Sequence, residues 1–338
     1  MTSLPGSTPP KRKVPVNLER LRDGGPAAWA RAASRLRPRP STFPFGPPTW
    51  PTSVPRPPLE RHLGVAYDTS WARRPPARVA RLLVTELLTT PAMRALARPE
   101  VRGLDRLASL DEPVVFAANH ASHVDTPLVL SVLPEPWRHR TVVAGAADYF
   151  FDTRAKAAAS ALVIGAVPIE RTRISRASTY QLQALLADRW SLVIFPEGGR
   201  SPDGWGRPHE PGAAWLAVRA GVAVVPLHIE GTRRVLPRGT SRPSPGRTTV
   251  TFGRPLRAGD GVDARALAVE LEAAIAALAD EATGDWYSAR RRAAAGASPR
   301  LTGPDAVGAW RRSWALGPGG RSGRASAPAP GGRRWPKL

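Results

Sequence analysis

The sequence predicts an α/β fold: a single domain with a mostly parallel, mixed sheet flanked by helices, set between disordered basic Pro/Arg-rich tails. Three observations predict it. Short apolar runs alternate with helix-like patterns between about residues 80 and 287, as when parallel strands are joined by helical crossovers. Polar and charged clusters follow directly after several of those runs, where open α/β sheets gather their ligands. The segments 1–76 and 288–338 are crowded with Pro, Arg, Gly and Ala and carry no sustained apolar period, so they bury too little to offset their ordering entropy. The expected organisation is a disordered N-terminal tail over 1–76, the folded domain over 77–287 and a disordered basic tail over 288–338.

The elements follow in order. Over 79–96, Val79, Leu82, Leu83, Leu87 and Leu88 recur at helical spacing among Arg78, Arg81 and Glu86, and Pro91 is expected to kink or split the helix. Such a basic amphipathic helix either packs on its own domain or lies in a membrane interface. The run 113–118 reads as a buried strand, 124–133 as a helix, 141–144 as a strand and 153–162 as an Ala-rich helix. A short strand over 166–170, a helix over 175–189 and a buried strand over 191–195 follow. The last elements are a helix over 212–219, strands over 222–229 and 248–252, and a helix over 263–282 with Asp260 or Asp263 as cap. Pro226, inside an apolar run, suggests a sheet edge or a bend.

The formal charge is +22, and the sequence pI is about 11.6. That balance favours an anionic partner: nucleic acid, an anionic membrane surface or an acidic substrate. The chain has no cysteine, which excludes disulfides, thiolate metal sites and a cysteine nucleophile. It opens without the apolar core of a secretory signal, and no run of about 18 apolar residues suggests a spanning helix.

Four blocks carry the chemistry. In 119–125 (NHASHVD) a histidine and an aspartate stand five apart at a strand exit. A histidine takes a hydroxyl proton near neutral pH, and does so better when a carboxylate fixes its tautomer. The spacing requires an intervening turn, since it is not a same-face helical pair. His123 is a weaker rival, because Leu128 stands where its acid would be. In 195–201 (FPEGGRS) two glycines and Arg200 read as a phosphate-holding turn, or as a plain tight turn with a solvated arginine. In 165–171 (GAVPIER) Arg171 ends a strand; it either joins Arg200 on one phosphate or pairs with an acid such as Glu170. The block 224–231 (VVPLHIEG) looks structural.

In this order the four blocks resemble the glycerolipid acyltransferase family, of the 1-acylglycerol-3-phosphate acyltransferase (lysophospholipid acyltransferase) type. Asn119, His120, Ser122 and Asp125 match its NHxSxxD block, and Gly165, Ile169 and Arg171 match the second, where Pro168 replaces a usual aromatic. Phe195, Pro196, Glu197, Gly198, Arg200 and Ser201 match FPEGTRS, with Gly199 in place of threonine; Val225, Pro226 and Ile229 match the fourth. A basic residue usual before the 212–214 segment is absent, with Arg207 or His209 as substitutes.

The resemblance implies direct acyl transfer from a thioester, acyl-CoA or acyl-ACP, to the hydroxyl of 1-acylglycerol 3-phosphate, giving phosphatidic acid in phospholipid biosynthesis, with no cofactor and no metal. His120 would be the base and Asp125 its partner. Arg171 and Arg200 would hold the phosphate, Glu197 and Gly198 would organise the acceptor pocket, and Asn119 and Ser122 would belong to the same site. The expected partners are a lysophospholipid acceptor, the acyl donor and an anionic membrane surface, with no specific nucleic acid, and the expected location is peripheral on the cytoplasmic face of the membrane. The alternatives are the same chemistry on glycerol 3-phosphate or another lysolipid, or a non-catalytic binder of anionic lipid or nucleic acid.

Overall fold

The computed structural model describes residues 64–170, 176–201, 204–259 and 263–302. The tail expectations before 64 and after 302 lie outside these residues. Helix α1 (Pro75–Val84) passes through one widened π-helical turn (Thr85–Thr89) into α2 (Thr90–Ala97). Pro91, in the first turn of α2, offers no N–H to the turn before it, and the widened turn lies directly upstream of it.

Strand β1 (Pro99–Arg102) comes next, then β2 (Val115–Ala118), α3 (Asp125–Val132) and β3 (Thr141–Ala146). A one-turn helix (Ala147–Phe150) leads to α4 (Arg154–Val163), β4 (Ala166–Ile169), α5 (Arg176–Ala187) and β5 (Ser191–Ile194). The chain continues through α6 (Gly212–Ala220), β6 (Val224–Glu230), a one-turn helix (Thr232–Val235), β7 (Thr248–Phe252), α7 (Ala264–Thr283) and α8 (Trp286–Ala294).

The sheet has seven strands in the order β1-β7-β6-β2-β5-β3-β4. Every pairing is parallel except β6 with β7. The fold class is therefore α/β with a mixed, mostly parallel sheet, as the alternation of elements predicts. Strand β2 is central and fully buried. Its side chains alternate between two cores: Val114, Phe116 and Ala118 pack on one face with α2 and α3, and Val115 and Ala117 on the other with α5, α6 and α7. Phe116 meets Trp137 and Phe252 edge to face, at centroid distances of 6.1 and 6.3 Å.

Three local expectations differ from the structure. Pro226 lies in the interior strand β6, not at a sheet edge. It falls between the Val224–Leu256 bridge and the first β6–β7 pair, Leu227 with Phe252, where the antiparallel ladder is interrupted and needs no donor. Helix α8 continues past residue 287, where composition placed the start of the tail. Asp285 caps it by accepting from the Ser288 N–H, and Arg292 reaches back to Asp280 of α7 through two bonds of 2.7 and 2.8 Å. Strand β1 lies in a stretch with no apolar run; its pairing with β7 alone makes it a strand.

The α1–α2 segment presents its apolar side outward. Leu87 and Leu88 are 73% and 65% exposed, and Val79, Leu82 and Leu83 are exposed as well. The inward side is polar: Arg81 is buried and donates to the Thr141 carbonyl, and Thr85 and Thr90 are buried beside it. Among the described residues, no helix is long and apolar enough to cross a membrane.

Candidate active site

The site is built on the loop that leaves the central strand β2. Asn119 prolongs the β2–β6 pairing with its side chain, donating to the Ile229 carbonyl at 2.9 Å and accepting from the Ile229 N–H at 2.7 Å. The Ser122 hydroxyl is buried, donates to the Leu236 carbonyl at 2.8 Å and accepts from the Val124 N–H at 3.2 Å. Both side chains are thus spent on fixing the loop.

Asp125 opens α3 and is fully buried. One of its oxygens, Oδ2, accepts three hydrogen bonds: from the N–H groups of Ala121 and Ser122 at 2.7 and 2.8 Å, and from His120 Nδ1 at 2.8 Å. This supplies the turn that the five-residue spacing requires: the carboxylate folds the loop around itself and meets the imidazole from within. Since a carboxylate accepts, Nδ1 is the donor of this bond, and Nε2 lies on the far side of the ring. The ring stacks on Phe195 with centroids 4.1 Å apart and stays partly open, at 16% side-chain exposure.

The loop after β5 locks onto the same histidine through its backbone. The Glu197 carboxylate is buried and bridges two segments, accepting from the His120 N–H at 2.9 Å and the Arg207 N–H at 3.0 Å. Burial pushes its pKa up to about 7, against the pull of those two bonds in the other direction. The Ser201 N–H donates to the His120 carbonyl at 2.8 Å. Glu197 therefore holds the histidine's main chain, while Asp125 holds its ring.

Gly198 is exposed, in a left-handed conformation (φ 64°) that suits glycine. At Gly199 a Cβ would come within 2.8 Å of the Arg207 guanidinium, so the missing side chain is what admits that arginine. Arg200 is half-buried, and its charge helps lower the pKa of His123 to about 4, after the larger effect of burial. His123 stacks on Tyr149 and shares a 3.0 Å hydrogen bond with its hydroxyl. His209 is held neutral by burial, its pKa lowered to about 4, so of the two substitutes for the missing basic residue only Arg207 brings a cation.

Arg171 lies outside the described residues; β4 leads toward it and ends at Ile169. The structure brings together Asn119, His120, Ser122, Asp125 and Glu197. Sequence reasoning missed two contributors. Phe195 backs the imidazole, and the Arg207 backbone closes the Glu197 bridge. The first was visible as a matched position of the third block, with no sign that it stacks on the imidazole, and the second needed a contact across ten residues.

A buried acid and a histidine oriented by it, on a loop at the C-terminal end of a central parallel strand, form an arrangement that is chemically able to act as a general base. Residues 98–230 match the family model described as Acyltransferase. That match spans about two fifths of the chain, which there is similar to acyltransferases. The chain is 27% identical over 165 residues to a chloroplastic 1-acyl-sn-glycerol-3-phosphate acyltransferase of Brassica napus, covering 46% of this chain and 44% of that protein. It is 30% identical over 142 residues to the chloroplastic enzyme of the same name in Arabidopsis thaliana, covering 41% and 38%. The chain thus spans less than half the length of these curated relatives. A solved 1-acyl-sn-glycerophosphate acyltransferase from Thermotoga maritima aligns with a TM-score of 0.45 at 20% identity, over 62% of this chain and 80% of that one.

Proposed function

We propose that this protein is an O-acyltransferase that moves a fatty acyl group from acyl-CoA or acyl-ACP to the hydroxyl of 1-acylglycerol 3-phosphate, giving phosphatidic acid. The observation that carries the reading is the His120–Asp125 pair: an imidazole whose Nδ1 is tied to a buried, triply bonded carboxylate and whose Nε2 remains for substrate. The names of the sequence relatives support the acceptor.

His120 Nε2 takes the proton of the acceptor hydroxyl as its oxygen attacks the thioester carbonyl. The Asp125 charge stabilises the imidazolium that forms. The tetrahedral intermediate then expels the thiolate, which takes the proton back from His120, so the enzyme ends as it began. Arg200 and Arg171 hold the acceptor phosphate, and Gly198 and Gly199 let it approach the loop. Glu197, Asn119 and Ser122 position the loop and take no part in proton transfer. In this reading the enzyme is peripheral at a membrane face, and the exposed leucines of α1 and the π turn, which would dip into the lipid surface that carries the acceptor, support it.

The test incubates the purified protein and its His120→Ala variant with labelled acyl-CoA and lysophosphatidic acid, with acyl-ACP and glycerol 3-phosphate as parallel arms. Phosphatidic acid from the parent and almost none from the folded variant is the expected result. Equal product from both would remove His120 as the base. No product in any arm would overturn the reading.

A further inference from the structure

A cavity in the described part of the chain lies away from His120. It holds about 460 Å³ and lies between α2, β1 and the C-terminal end of α3, lined by Arg94, Arg98, Val101, Ser131, Val132 and Arg138, together with Pro99. Ser131 stands six residues along α3 from Asp125, about 9 Å of helix rise. No lining residue belongs to the loop that carries the proposed chemistry.

The cavity is lined by three arginines, of which one, Arg138, is paired with a neighbouring carboxylate. Arg138 is held from behind, with Nε donating to the Leu133 carbonyl at 2.8 Å and Nη1 to Glu86 at 3.2 Å. Glu100 is on the neighbouring strand but alternates to the other face of β1, where it pairs with Arg102 at 2.7 Å. Arg94 and Arg98 stand exposed at the rim. Arg98 also occupies the left-handed position at the end of α2 (φ 40°, ψ 62°), where glycine is the unstrained choice. An arginine kept there at the expense of backbone strain points to a use for its side chain.

The apolar side of the same helical segment identifies the occupant. Leu87 lies seven residues before Arg94 on the same helical segment and is 73% exposed beside Leu88 at 65%. A patch that offers leucines next to a guanidinium-lined pocket matches a molecule with an anionic head and an apolar body. We infer that the Arg94–Arg98–Arg138 pocket is a second anion site, which seats the phosphate of an anionic phospholipid headgroup and docks the protein on the bilayer. The inference rests on the membrane-surface part of the proposed function, not on the acyl-transfer chemistry.

The test uses flotation of the full chain with vesicles of phosphatidylcholine alone and of phosphatidylcholine with phosphatidylglycerol. The variant is Arg94→Gln with Arg98→Gly. Each surface arginine removed weakens binding to anionic lipid by a factor that compounds to about thirtyfold for the pair. The expected result is that loss on anionic vesicles, unchanged weak binding to phosphatidylcholine, and a melting temperature equal to or above the parent's, because glycine relieves the strain at position 98. Acyl transfer to a short-chain lysophosphatidate in detergent micelles is expected to stay at the parent's rate. Equal binding of parent and variant to anionic vesicles would overturn the inference. So would protection of the parent alone by millimolar inorganic phosphate with equal vesicle binding, which would make the pocket a site for a free anion. A parent that binds no vesicle at all would overturn both the pocket and the membrane-surface reading, while activity in micelles would still report on the chemistry.

Discussion

At the residue scale the proposed chemistry depends on which atom of each group is already engaged. Asp125 uses one oxygen for the imidazole and for two backbone N–H groups, so Asp125→Asn keeps an acceptor in place and removes the charge. The loop should hold its shape while the imidazolium loses its stabilising partner. The expected outcome is a fall in kcat on the order of 10²–10⁴-fold with little change in the KM for acceptor, and a similar fall for His120→Ala. A large rise in acceptor KM with kcat preserved would assign Asp125 to binding instead. Glu197 behaves differently, because both its oxygens face N–H donors from distant segments. Glu197→Gln turns one acceptor into a donor that faces a donor. That exchange should destabilise by about 1–3 kcal/mol and lower activity through the displaced His120 backbone, which thermal melts and kinetics measure together. Gly199→Thr should push the Arg207 guanidinium aside, since a Cβ there would stand 2.8 Å from it. If Arg207 assists the acceptor phosphate, the expected result is a higher acceptor KM than the parent's with kcat retained.

At the element scale, the sheet was legible and its edges were not. The runs that became β2, β5 and β6 are apolar throughout because both faces of a central parallel strand are covered, and that pattern is readable without any partner. Strand β1 (PEVR) alternates exposed and half-buried residues at the sheet edge, and only its pairing with β7 defines it. The His120–Asp125 pair was legible as residue types, but the turn that closes it comes from backbone N–H groups, which no side-chain pattern encodes. Helix α1 inverted the usual inference: its leucines are periodic and exposed, and the buried member of the helix is Arg81. Arg81 is accommodated by Gly165, whose left-handed backbone (φ 63°) and missing Cβ leave the space that the guanidinium fills. Gly165→Ala would add strain and a collision at once. The expected outcome is a loss of about 1–3 kcal/mol, read as a lower midpoint in urea with an unchanged slope. An unchanged midpoint would mean that α1 moves away from the sheet without penalty.

At the scale of the whole molecule, buried titratable groups set how stability follows pH. Burial lowers the pKa of His123, His209 and His228 to about 4, so the unfolded chain takes up protons near the ordinary value of 6.5 while the folded chain refuses them. Between those values the unfolded state binds more protons, and stability rises with pH. Glu197, with its pKa near 7, and Glu230, also raised by burial, oppose this: the folded chain keeps their protons above the ordinary 4.5, so their contribution declines as pH rises through that window. Asp68, Asp152 and Asp285, held below 3.8, act under the window and leave its sign alone. Three histidines outweigh two glutamates, and the net slope is positive. The melting temperature should therefore climb from about pH 4 to about pH 6.5 and flatten above it. Replacing His228, which is fully buried on β6, with Asn should shallow the climb, whereas Glu197→Gln should steepen it by removing an opposing group. A parent whose melting temperature falls with rising pH across this range would show that the carboxylates dominate, and that the histidines are protonated in the folded chain.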